Sequence, residues 1–206
     1  MIDTGMVGEP FFIRRLVRRL GLKPDSIKAI LLTHGHLDHA GNLAWLKDWT
    51  KATVYAHPEE VRHVAGTYPY SGKARWCGRL EAAGRYVFRY RTGMIDEFID
   101  DGQELPFWGG LRVVHLPGHT RGHCGFYSAK HDLLFSGDVF ASYFFSVHHA
   151  PAILNSAPEL LPSSAEKIRH LRPRLMVPSH YDVLDGDLHR RRFCRLHGWP
   201  DWRNET

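Results

Sequence analysis

One segment constrains this chain more than any other. The nearly apolar run Lys28-Ala29-Ile30-Leu31-Leu32-Thr33 passes directly into His34-Gly35-His36-Leu37-Asp38-His39-Ala40-Gly41-Asn42. A continuous apolar run of this length is what a strand covered on both faces requires, and the residues after it read as a turn opening a helix. His34 and His36 stand two apart at the end of the extended segment, so their side chains point the same way and can share one metal ion. Asp38 and His39 lie past the turn and aim at a neighbouring point, which suits a second ion. Gly35 and Gly41 let the backbone pass close to a crowded polar centre. Four donors are too few for such a site, so the fold must bring further ligands from elsewhere.

Three downstream positions can complete it, each at a strand end or in a loop: His119 in Pro117-Gly118-His119-Thr120, Asp138 in Ser136-Gly137-Asp138, and His180 in Pro178-Ser179-His180-Tyr181. Five histidines and two aspartates, with no thiolate, suit a pair of zinc-like ions, with iron or manganese as substitutes. One ion would take His34, His36 and His119, the other Asp38, His39 and His180, with Asp138 between them. The three cysteines, Cys77, Cys124 and Cys194, are scattered and form no C-x-x-C pair. They read as idle buried thiols rather than metal ligands or a disulfide framework.

The rest of the chain reads as alternating elements. Met1 to Thr4 is a short strand candidate. A helix from Pro10 places Ile13, Leu16, Val17 and Leu20 on one buried face, turns Arg14, Arg15, Arg18 and Arg19 to solvent, and stops at Gly21. Asn42 to Trp49 is a second helix, Thr53 to Ala56 a strand, and Pro58 opens another helix. From 66 to 92 the alternation breaks into Tyr68-Pro69-Tyr70-Ser71-Gly72 and an arginine-rich stretch carrying Arg75, Arg79, Arg85, Arg89 and Arg91. This is an insertion: either a surface helix with solvated charges or a wall over a substrate. Strands follow at Ile95 to Ile99, Leu111 to Leu116, Gly125 to Ser128 and Leu133 to Ser136. Then come a helix at Ser163 to Leu171 with a Ser163/Glu166 capping box, a strand at Leu175 to Val177, and a basic helix at Leu188 to His197.

Composition sets limits on function. With 206 residues, 43% hydrophobic and 24% charged, the chain is long enough to bury a core as a single domain over 1–206 and too apolar to be disordered. No apolar stretch reaches the length of a membrane-spanning helix and no secretory pattern opens the chain, so a cytoplasmic location is expected. A net charge of +5 permits an anionic partner without requiring one. A small-molecule substrate is expected rather than nucleic acid, and a homo-oligomer is compatible.

The His-x-His-x-Asp-His signature, preceded by Asp3-Thr4-Gly5 and followed in order by His119, Asp138 and His180, resembles the metallo-β-lactamase superfamily. The resemblance implies an α/β fold, a four-layer αβ/βα sandwich, here short of its first N-terminal strands. An aspartate at the bridging position and no cysteine ligand resemble the glyoxalase II and lactonase-like dinuclear branch rather than a true β-lactamase. Three departures stand out. The Asp-Thr-Gly element already occupies residues 3 to 5, only 26 residues follow His180, and Ala141 stands where lactone hydrolases of the superfamily place a tyrosine.

The chemistry implied is hydrolysis of a small ester, thioester or lactone by a hydroxide bridging two zinc ions, with Asp38 or Asp138 orienting it. Tyr143 and Tyr181 are candidate proton donors, and His148 and His149 candidate pocket residues; His123 is a candidate support for His119. The alternatives are a superfamily nuclease or phosphodiesterase, a mono-iron persulfide dioxygenase, and a domain that binds metal without turnover.

Overall fold

The computed structural model describes residues 1–6, 10–67, 69–87, 90–91, 93–143 and 146–204, the side chain of Lys73 aside. Tyr68, Phe88, Arg89 and Thr92 of the proposed insertion lie outside the described residues, as do Phe144 and Phe145. The chain divides into two compact units, Met1–Ile99 and Asp100–Thr206.

The first unit is built on a parallel three-stranded sheet in the order β1 (Ala29–Leu31), β2 (Thr53–Ala56), β3 (Glu97–Phe98), with Ile30 opposite Val54 and Tyr55 opposite Glu97. Met1–Thr4 adds an isolated parallel bridge, Ile2 to Leu31, rather than a full strand. It ends as a strand because Asp3 turns to a φ of 52°, a left-handed conformation that aspartate tolerates better than most residues. Helices α1 (Pro10–Arg19), α2 (Leu37–Ala40), α3 (Leu43–Thr50), α4 (Val61–Val64) and α5 (Arg75–Val87) complete this unit. Ile30, Leu32, Leu43, Leu46, Val54 and Val64 form its core, with Ile13, Trp45 and Trp49 packed at the margin. The i, i+4 pair Trp45 and Trp49 stacks at 5.1 Å, and the Arg14 guanidinium lies 4.9 Å over the Trp45 ring.

The α1 helix forms where expected, but its apolar face is not buried as expected. Val17 is its one buried residue and Ile13 is half-buried, whereas Leu16 and Leu20 are 56% and 61% exposed. The hydrophobic repeat reported the helix correctly and overstated the share of its surface that meets the sheet. Within 66–92 the regular element is α5, which buries Cys77 and Gly78 and exposes Trp76 and Leu80.

The second unit carries a five-stranded sheet in the order β4 (Glu104–Leu105), β5 (Leu111–His115), β6 (Cys124–Ser128), β7 (Leu133–Gly137), β8 (Leu175–Pro178). Its first three pairings are antiparallel, while β7 and β8 run parallel. The β7–β8 register slips between Phe135 and Gly137, immediately before Asp138. A bulge there re-aims the strand end. Helices α6 (Leu161–Leu171) and α7 (Gly186–Leu196) supply the rest of this unit's core, in which Leu116, Leu134, Phe140, Ile168, Met176 and Phe193 are nearly or fully buried.

The Ser163/Glu166 capping box does not form. The α6 helix begins two residues earlier, out of a 3-10 turn at Pro158–Leu160, so Ser163 lies inside it and its Oγ donates to the Leu160 carbonyl. Glu166 pairs instead with Arg169. By contrast, α7 is capped by Asp185, whose carboxylate accepts from the amides of Asp187 and Leu188. All three cysteines are buried, and none forms a disulfide among the described residues. No helix among the described residues is long and apolar enough to cross a membrane.

Candidate metal centre

In the first unit the polypeptide leaves β1 through buried Leu32 and Thr33, and His36 has extended backbone at the N-terminus of α2. This arrangement packs the three histidines together: His34, His36 and His39 are 0%, 5% and 2% exposed. The ring of His34 lies 4.6 Å from that of His36 and 4.0 Å from that of His39. Ligand atoms of His34 and His36 come within 4.8 Å of each other, as do those of Asp38 and His39. His34 and His36 thus lie together in space, as do Asp38 and His39.

Outer partners fix the orientation of two of these imidazoles. Nδ1 of His39 lies 2.8 Å from Asp3 Oδ2, an oxygen that also accepts from the Thr33 hydroxyl at 2.8 Å; Oδ1 accepts the Thr33 amide at 2.7 Å. Because the Thr33 hydroxyl gives its proton to Asp3, its oxygen accepts from His34 Nδ1 at 3.0 Å. Both histidines therefore hold their proton on Nδ1 and keep the Nε2 lone pair for a cation. The Gly35 amide donates to Glu60 Oε2 at 2.7 Å, and Glu60 is fully buried. His36 packs beside His63 and Tyr70, with ring separations of 5.4 Å to each. Burial, reinforced by the Asp38 carboxylate, pushes Glu81 on α5 up to about 7.

In the second unit His119, Asp138 and His180 converge. Asp138 Oδ2 is 3.5 Å from Nε2 of His119 and 3.2 Å from Nε2 of His180. His119 and Asp138 are buried, while the His180 side chain keeps a 34% exposure. His119 Nδ1 lies 2.9 Å from Asn155 Oδ1, whose amide nitrogen is committed to the Ala150 carbonyl. The proton again sits on Nδ1 and Nε2 faces the aspartate. This donor set, with imidazole Nε2 lone pairs beside carboxylate oxygens, fits borderline divalent ions such as zinc, iron or manganese.

His123 does not serve His119, whose ring is 6.2 Å away and perpendicular. Its Nδ1 donates to the Leu116 carbonyl at 3.2 Å and its Nε2 accepts the Asp138 amide at 2.9 Å, so it supports Asp138 instead. Sequence reasoning missed Asp3, Glu60 and Asn155 as supports. For Asp3 the Asp-Thr-Gly turn was a signal; Glu60 and Asn155 carry none, since an isolated carboxylate or amide looks like any other in a linear chain.

Of the four proposed substrate-side residues, Tyr143 has its ring 6.2 Å from that of His180. Tyr181 is 41% exposed and its ring is near His189. His148 is exposed and pairs through its backbone with Ala141, and His149 lies 5.1 Å from the His197 ring.

A family model described as the metallo-beta-lactamase superfamily matches residues 1–180. The chain belongs to this superfamily. Similar proteins include the hydroxyacylglutathione hydrolase GloC of Haemophilus influenzae, 30% identical over 68% of this chain. They also include the probable metallo-hydrolase YqgX of Bacillus subtilis, 30% identical over 90% of this chain and 78% of its own length. The chain spans only 59% of the length of GloC. Among solved structures, TTHA1623 in a di-iron-bound form is 29% identical with a TM-score of 0.68, covering 93% of this chain and 86% of that one. The α/β architecture expected from the resemblance is thus the fold of this superfamily of metallo-hydrolases.

Proposed function

We propose that the protein holds two divalent ions, preferably zinc, and hydrolyses a small ester, thioester or lactone. His34, His36 and His119 would serve one ion, and Asp38, His39 and His180 the other, with Asp138 shared. The observation that carries this reading is that Nδ1 of His34, His39 and His119 each lies within 3.0 Å of an oxygen, of Thr33, Asp3 and Asn155 respectively, which assigns the proton to Nδ1. Each gives Nδ1–H to a fixed acceptor and keeps Nε2 for a cation. Bound by these side chains, a divalent pair supplies an acidified water at neutral pH and polarisation of the scissile carbonyl. The di-iron form of TTHA1623 and the thioester implied by the name of GloC support two metals and an acyl substrate respectively.

The chain's own residues perform the remaining steps. Asp38 and Asp138 accept hydrogen bonds from the attacking water and fix its approach. Asp138 is itself held by its backbone bond to His123. Tyr143, whose ring lies 6.2 Å from that of His180, gives its phenol proton to the leaving group. Residues 66–92 and Tyr181, His148 and His149 bound the substrate. The test is metal content measured on the purified protein together with turnover of a panel of thioesters, lactones, carboxylic esters and phosphodiesters. Two equivalents of metal with acyl-ester turnover, lost in His36→Ala and Asp138→Ala, is the expected result. A fully metal-loaded protein inert to every acyl ester would overturn it, and a single iron with oxygen consumption would point to the dioxygenase alternative.

A further inference from the structure

Two loops of the second unit carry proposed ligands: the one leaving β7, with Asp138, and the one leaving β8, with His180. They are tied to each other along the backbone. The Ser179 amide donates to the Gly137 carbonyl at 3.1 Å, the Ser142 amide to the His180 carbonyl at 2.9 Å, and the Asp182 amide to the Ser142 carbonyl at 3.1 Å. Ser142 and Tyr181 pair as a parallel bridge. Ser142 therefore bonds through its backbone to both sides of His180's loop.

Its side chain is fully buried and faces α7. Ser142 Oγ lies 2.8 Å from Arg192 Nη1 and 2.9 Å from His189 Nδ1. A guanidinium can only donate, so the serine oxygen accepts from Arg192 and has its own proton for His189. The same Arg192 nitrogen reaches Asp182 Oδ1 at 3.3 Å, two residues beyond His180. Arg192 is 7% exposed and His189 is fully buried. A nearly buried cation with a serine and an aspartate as partners is expensive to desolvate, and hydrophobic packing of α7 does not call for one. A helix needed only to close the core could carry leucine at 192.

We infer that Ser142, Arg192 and His189 form a positioning device that sets His180 against Asp138 from outside the ligand shell. The inference rests on the dinuclear reading above. None of the three touches a metal or substrate; they act through the two loops. Their effect should fall on the ion that His180 serves and leave the ion of His34, His36 and His119 in place. Outer partners of metal ligands typically alter affinity ~10–100-fold when removed.

The experiment uses the metal-loaded protein with cobalt(II) as a spectroscopic probe and a competing chelator, comparing wild type with Ser142→Ala, Arg192→Met and Arg192→Lys. In Ser142→Ala and Arg192→Met, one of the two ions is expected to leave at ~10–100-fold lower chelator concentration, the other at the wild-type concentration. The Arg192→Lys variant, which retains a donor and the charge, is expected to recover most of the loss. On an acyl substrate the turnover number should fall while KM changes little. Wild-type release of both ions from Ser142→Ala and Arg192→Met overturns the inference. So does simultaneous loss of both ions at a lowered unfolding temperature in the two variants, since that is the signature of a structural role alone. A wild-type protein that binds no metal defeats the dinuclear reading itself, so the two failures are distinguishable.

Discussion

Asn155 Oδ1 lies 2.9 Å from Nδ1 of His119, and the asparagine is held in turn by its bond to the Ala150 carbonyl. The contact spans 36 residues of sequence and decides which nitrogen of His119 faces Asp138. Asn155→Ala removes the acceptor, lets the imidazole change tautomer and is expected to weaken metal retention ~10–100-fold. Asn155→Asp keeps an acceptor oxygen for His119 but sets its second oxygen against the Ala150 carbonyl, so it should lose less metal affinity than Asn155→Ala without matching wild type. Chelator competition on the two variants checks this, and equal retention by both would remove Asn155 from the site.

Asp3 makes a sharper prediction because its carboxylate is used only as an acceptor. Oδ2 receives from His39 and the Thr33 hydroxyl, and Oδ1 receives from the Thr33 amide. In Asp3→Asn, either orientation of the side chain points an NH2 group at an existing donor. Asparagine should therefore be nearly as harmful as alanine, each lowering stability by about 2–3 kcal/mol. Urea denaturation of the two variants measures it. An Asp3→Asn protein within about 0.5 kcal/mol of wild type would contradict the proton placement assigned to His39.

The ligand loop also has a steric requirement. A Cβ at Gly35 would come 2.6 Å from the His63 Cβ and 3.0 Å from the Val64 backbone nitrogen. Neither atom is the far end of a flexible side chain, so α4 or the loop itself must move. Overpacking of this kind costs about 1–3 kcal/mol, and Gly35→Ala should lose metal in addition because His34 and His36 flank the shifted residue. Gly102, with open space around the equivalent point but a φ of 76°, provides a control for backbone strain without a clash. Denaturation midpoints and metal content of Gly35→Ala and Gly102→Ala separate the two effects.

How much of this was legible in the sequence depends on the range of the interaction. The His34 to His39 cluster is local: strand, turn and helix periodicities fix where those side chains go, and the two-residue spacing sets the rings of His34 and His36 4.6 Å apart. His119, Asp138 and His180 are singled out in the sequence by residue type and loop position, and in the structure Asp138 lies 3.5 Å and 3.2 Å from the two imidazoles. The outer partners were less readable. A four-residue spacing points His123 at His119, but it lies just before β6 and reaches across to Asp138, just past the end of β7, a pairing set by sheet register. Glu60, Asn155, Ser142 and Arg192 are ordinary polar residues until tertiary structure buries them. The exposed half of α1 has the same origin: a periodic apolar face reports helical geometry, and the neighbours decide whether it is covered.

The last prediction concerns pH. His197, at the end of α7, stacks on Trp199 at 4.5 Å and lies 4.7 Å from the Phe193 ring, and its Nε2 meets no hydrogen-bond partner among the described residues. Burial in this aromatic surrounding, with His149 adding a like charge when protonated, pushes its imidazole down to about 4. An unfolded histidine titrates near 6.5. As pH falls below that value the unfolded chain takes up a proton that the folded chain refuses, so stability declines until about pH 4, where the folded form also protonates and the loss levels off. Allowing for the partial solvent access of the ring, this one group should cost roughly 1–2 kcal/mol across that window. His197→Phe keeps the stack and removes the titration. The difference in unfolding free energy between variant and wild type is expected to grow in favour of the variant from pH 7 to pH 4, and taking a difference cancels the histidines common to both. Parallel stability curves over that range would show that His197 protonates in the folded protein as readily as in the unfolded chain.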